Sequence, residues 1–69
     1  MLKKRSFSLS GHRTSVALEE EFWAVIDTEA RARGQSLAAL VQMIDGTRGD
    51  RPLASALRIA ALAAAARQA

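Results

Sequence analysis

Residues 13–18 narrow the possible folds more than any other segment: Arg13, Ser15 and Ala17 alternate with Thr14, Val16 and Leu18, and from Glu19 onward the apolar spacing becomes helical. Period two marks a strand with one buried face. A single short strand ahead of helices exposes unpaired backbone donors and acceptors along both edges and does not stand alone. The economical completion is the same strand of a second copy, antiparallel about a twofold axis. Val16 and Leu18 then face inward onto the helices, and Arg13, Ser15 and Ala17 face outward.

The alternation extends upstream in the opposite phase. Phe7 and Leu9 share one parity, and Ser6, Ser8 and Ser10 share the other. The flip at Gly11–His12 implies a bulge, a bend or two separate strands. Residues 1–12 are therefore a basic N-terminal arm or an extra strand, and whether residues 5–10 pair within the chain or across a dimer is left open.

Downstream, the spacing predicts a helix over 19–33. Glu19, Glu20 and Glu21 suit the positive end of its dipole. Phe22, Trp23, Val25, Ile26 and Ala30 form its apolar stripe, and Gly34 fits the residue after its C-cap. Ser36 is a natural N-cap for a second helix carrying Leu37, Leu40, Val41 and Ile44 at i, i+3, i+4 and i+7, ended by Gly46. Residues 13–46 form the core unit, and 47–69 form a polar loop and a C-terminal helix from about Pro52 to Arg67. In that helix Leu53, Ala56, Leu57, Ala60 and Ala64 share a face that Ile59 and Leu62 widen.

At 69 residues the chain is one domain, and a chain this short is marginal as a monomer. It has no cysteine and one histidine, His12, so disulfides, thiolate metal sites and multi-imidazole sites are excluded. Association with another chain is the remaining route to stability, and 49% hydrophobic content supplies surface for it. The dimer core is expected to hold Val16, Leu18, Phe22, Trp23, Ile26, Leu40, Val41 and Ile44. There is no nucleophile–base set, phosphate loop or metal spacing, so no enzyme, metal or cofactor is expected. The acids at 19–21 diverge by about 100° per residue and do not converge on a site.

The net charge is +3, and Lys3, Lys4, Arg5 and Arg13 all precede the first acid, Glu19. Such an arm favours a polyanion, with Lys3, Lys4 and Arg5 as candidate phosphate contacts. Serines interrupt any signal-like apolar run after the lysines, and no run reaches spanning length. The expected localisation is cytoplasmic, with no membrane partner.

The order strand, helix, glycine turn, helix resembles the ribbon-helix-helix superfamily, which includes the Arc- and MetJ-type repressors. Gly11-His12-Arg13-Thr14-Ser15-Val16-Ala17-Leu18-Glu19 with Phe22-Trp23, and Pro52-Leu53-Ala54-Ser55-Ala56-Leu57-Arg58, look like a group of small bacterial proteins within it. The resemblance implies a mostly α fold with a short β ribbon, an intertwined homodimer, here with an additional C-terminal helix. It also implies double-stranded DNA as partner, with Arg13, Ser15 and Ala17 touching bases and Gln35, Ser36 and Leu37 binding phosphate through backbone N–H groups. The physics agrees: a two-stranded ribbon fits the major groove, where arginine reads guanine bidentately, and a helix N-terminus attracts an anion. Ala17 departs from the pattern, since it offers only a methyl contact to thymine. The expected function is transcription regulation as a dimeric repressor. The alternative is a protein-interaction dimer, antitoxin-like or an adaptor, taking a second protein on the C-terminal helix.

Overall fold

The computed structural model describes residues 1–69 as five elements: β1 (Leu2–Leu9), β2 (His12–Glu19), α1 (Glu20–Ala32), α2 (Leu37–Thr47) and α3 (Leu53–Gln68). The strands form one two-stranded antiparallel sheet whose register runs from Leu9↔His12 to Leu2↔Glu19. The phase flip is thus two separate strands. Ser10 and Gly11, both at positive φ (51° and 81°), make the two-residue turn between them. Positive φ at both central positions is the type I′ geometry, whose twist matches that of the flanking strands. A two-residue turn pairs odd positions with even ones, so the inward set must change parity across it: Phe7 and Leu9 on β1 join Val16 and Leu18 on β2.

This corrects the expectation of a lone strand completed by its twin. β2 is already paired on one edge by β1 of its own chain. Residues 13–18 read as unpartnered in the sequence, while their partner lay next to them across the shortest hairpin turn.

The inner face of the hairpin roofs three helices. The core joins Phe7, Leu9, Val16 and Leu18 to Trp23, Ile26 and Ala30 of α1, Leu40 and Val41 of α2, and Leu57 and Ala61 of α3. Of the eight residues expected in a dimer core, Val16, Leu18, Trp23, Ile26, Leu40 and Val41 are buried within the single chain, and Phe22 and Ile44 are half-buried against it.

Helix boundaries follow local chemistry. Beyond α1, Gly34 (φ 68°) donates to the Arg31 carbonyl and Gln35 to the Ala30 carbonyl, the paired closing bonds of a Schellman cap. Ser36 Oγ accepts from the Ala39 N–H at 3.0 Å and caps α2. Gly46 lies inside α2, which runs one residue past it to Thr47; the left-handed glycine of this stretch is Gly49 (φ 60°), not Gly46. Pro52 is the N-cap of α3. In α3 the buried residues are Ala56, Leu57, Ala61 and Ala64, whereas Ile59 (46% exposed) and Leu62 (66%) face outward.

Ion pairs hold α3 to the rest. Arg58 reaches Glu19 at 3.1 Å and lies over the Phe22 ring. Glu29 of α1, with its side chain 12% exposed, accepts from Arg33 at 2.7 Å and from Arg67 of α3 at 2.9 Å. Hydrogen bonds from Arg33 first and Arg67 second hold its carboxyl below the usual carboxylate range. A lowered carboxylate pKa contributes stability that is complete above the unfolded value of about 4.3 and is lost as pH falls through the folded value. Glu29→Gln should therefore unfold at lower temperature than the parent at neutral pH, with the difference shrinking as the solution is acidified below about pH 4. Gly11→Ala meets no atom within 4 Å, so its cost is conformational alone, about 1–2 kcal/mol by urea titration.

Candidate nucleic-acid interface

Residues paired across an antiparallel ladder share a face. The register therefore brings Lys4, Ser6 and Ser8 of β1 alongside Ala17, Ser15 and Arg13 of β2 on the outer face of the hairpin. All but the half-buried Ala17 are exposed. The Ser6 and Ser15 hydroxyls are hydrogen-bonded at 2.9 Å, and Arg13 Nη1 donates a longer bond, 3.4 Å, to Ser8 Oγ. No acid lies among these six. The surface is built of small hydroxyl side chains and two long cations.

Strand periodicity divides the basic arm. Lys3 and Arg5 fall on the opposite parity from Lys4 and turn toward α1. Lys3 Nζ meets Glu20 at 3.1 Å, and the Lys3 carbonyl accepts from Trp23 Nε1 at 2.8 Å. Arg5 donates to both Asp27 oxygens, at 3.1 and 3.3 Å, and its guanidinium stacks 4.8 Å from the Trp23 ring centroid. Lys3, Arg5, Arg33, Arg48, Arg58 and Arg67 all have carboxylate partners; Lys4, Arg13, Arg31 and Arg51 have none. Two of the four unpaired cations thus stand on the outer face of the hairpin. Of the three arm residues expected at phosphates, Lys4 alone is there.

At the start of α2, Ser36 uses its hydroxyl on Ala39, and the Leu37 and Ala38 N–H groups have no partner within the chain. The first turn contains no acid, so the positive end of this helix is uncompensated. The polar link between α2 and the hairpin is Gln42, which accepts from the Ser10 N–H at 3.0 Å and donates to Ser10 Oγ at 3.1 Å. It braces the turn against α2. His12 beside the turn is exposed.

Ser6 and Ser8 join this face although periodicity around β2 alone does not assign them to it. The signal was present in the phase flip, which is what a two-residue turn produces, and that turn alone sets which β1 residue lies beside Arg13 and which beside Ser15. No group of three or more His, Asp or Glu side chains is arranged to hold a metal ion, and no helix is long and apolar enough to cross a membrane.

A strand leading directly into two helices joined by a glycine turn, with a β ribbon bearing free cations on its outer face, defines a small ribbon-and-helix domain. A family model described as "Ribbon-helix-helix domain" matches residues 2–65, and the chain belongs to that family. It is a family of DNA-binding and regulatory domains without catalytic activity, and the protein is not an enzyme. Neither the curated proteins nor the solved structures yield a match.

Because Lys4 has no partner and Arg13 only a long bond to Ser8, neither side chain supports the fold. Lys4→Ala and Arg13→Ala should each change unfolding free energy by less than about 0.5 kcal/mol in denaturant titrations. Trp23→Phe, which removes the indole bond to the Lys3 carbonyl and part of a buried ring, should cost more.

Proposed function

We propose that the protein is a homodimeric DNA-binding transcriptional regulator, a repressor by class, that sets its strand β2 into the major groove. The observation that carries this reading is the outer face of the hairpin: Arg13 and Lys4 stand unpaired among Ser6, Ser8 and Ser15 with no acid between them. Phosphate and base edges are the ligands that such donors suit. Arg13 suits guanine, Ser15 either donor or acceptor edges, and Ala17 a thymine methyl. Lys4 suits phosphate, as do the open N–H groups of Leu37 and Ala38, whereas the Gln35 N–H is taken up by the cap of α1.

The dimer follows from the remaining edge of β2. In a two-residue hairpin the pair flanking the turn is hydrogen-bonded, and hydrogen-bonded pairs alternate from there. Thr14, Val16 and Leu18 therefore direct their backbone groups to β1, and Arg13, Ser15 and Ala17 direct theirs away from it. That free edge runs without proline, lysine or bulge, the devices that blunt an edge against pairing. Only 13 of 69 residues are buried in one chain, a small core that association would reinforce. Antiparallel pairing of β2 with β2 of a second copy gives the order β1-β2-β2-β1 about a twofold axis, with both copies of Arg13, Ser15 and Ala17 at its centre.

A second reading has one observation in its favour. Ile59 and Leu62 stand exposed on α3, which suits an adaptor that takes a protein partner there.

Fluorescence anisotropy on duplex DNA separates the two. Regulation by DNA binding predicts affinity that falls steeply as salt rises, a palindromic site among captured genomic fragments, and a loss of about 1–3 kcal/mol in specific binding for Arg13→Ala. Sedimentation should show two chains per particle. No affinity for any duplex at low salt, with a stoichiometric protein partner recovered instead, would favour the adaptor.

A further inference from the structure

We infer that β1 is a groove-rim clamp: its outward residues Lys4, Ser6 and Ser8 hold the DNA backbone on the two walls of the groove that β2 reads. The inference rests on the DNA-binding dimer proposed above and adds to it a strand that the strand-helix-helix arrangement does not require.

Three observations carry it. The first is spacing. Neighbouring strands lie about 4.8 Å apart, so in the sheet β1-β2-β2-β1 the two outer strands are separated by three such steps, roughly 14 Å. The major groove is about 12 Å wide. The central β2 pair therefore fits between the walls, while each β1 lies over a wall, where phosphates are.

The second is chemistry. The outward side chains of β1 over this stretch are one cation and two hydroxyls. These donate to phosphate oxygens without distinguishing bases. The readers on β2 differ in kind, since Arg13 carries the bidentate donor that discriminates guanine.

The third is the sorting of charge along β1. Lys3 and Arg5 are tied to Glu20 and Asp27, whereas Lys4, between them, has no carboxylate partner. The same alternation that anchors β1 to α1 leaves its central cation free on the DNA side. The clamp also touches the readers: Ser6 Oγ meets Ser15 Oγ at 2.9 Å, and Ser8 Oγ accepts from Arg13 at 3.4 Å.

The test uses the full chain and two probes, a duplex enriched by the wild-type protein from a random-sequence pool and an unrelated duplex of equal length. Binding is followed against salt for the wild type, Lys4→Ala, the double variant Ser6→Ala/Ser8→Ala, and Arg13→Ala. Circular dichroism verifies that each is folded. Removing one phosphate-neutralising cation per chain should flatten the log–log salt dependence by roughly 0.9 for each phosphate left unneutralised. Lys4→Ala should show that change and weaken both duplexes by the same factor. The serine double variant should weaken both several-fold without altering base preference. Arg13→Ala should instead narrow the ratio between the two duplexes. An unchanged salt slope in Lys4→Ala, or a shifted base preference in the serine variant, overturns the clamp while DNA binding by the wild type stands. A wild-type chain without affinity for either duplex overturns the DNA reading and the clamp together.

Discussion

The ladder between β1 and β2 is the interaction on which the rest of the molecule depends. It satisfies one backbone edge of each strand, and it brings Phe7 and Leu9 beside Val16 and Leu18 as a single apolar face. Three helices close under that face. Without the hairpin, Trp23, Leu57 and Val41, all nearly or fully buried, would lose their roof. A small domain has little apolar area to spare, so this turn and its register govern both stability and the composition of the outer surface.

The turn itself is held from two sides. Ser10 at φ 51° occupies a region that costs a non-glycine residue energy. Gln42 meets both its N–H and its hydroxyl, which offsets that cost and fixes the hairpin's angle to α2. At the other end, Trp23 binds the Lys3 carbonyl, and Arg5 fills the space between the Trp23 ring and Asp27. The hairpin is thus braced at turn and terminus. Its outer face keeps only Ser–Ser and Arg–Ser contacts and stays available.

Much of this was legible in the residues. The period-two run at 13–18, the acidic start of α1, Gly34 after it and Ser36 before α2 each report on neighbours within a few positions, and the helices appear where those signals lie. The candidate face was half legible. Parity alone assigns Arg13, Ser15 and Ala17 to one side of β2. Their neighbours Ser8, Ser6 and Lys4 follow only once Ser10–Gly11 is recognised as a two-residue turn instead of a bulge.

Local pattern therefore reached as far as element type, the order strand-helix-helix and the outward set of β2, because backbone periodicity and capping act over one turn or one pleat. The folded chain alone revealed that β2 pairs with β1, that Lys3 and Arg5 serve α1 while Lys4 does not, and that Ile59 and Leu62 turn outward from α3. Those outcomes rest on interactions between distant residues, such as Arg5 with Asp27 and Arg58 with Glu19, separated by 22 and 39 positions. Charge counted along a sequence carries no record of which cation will meet which carboxylate.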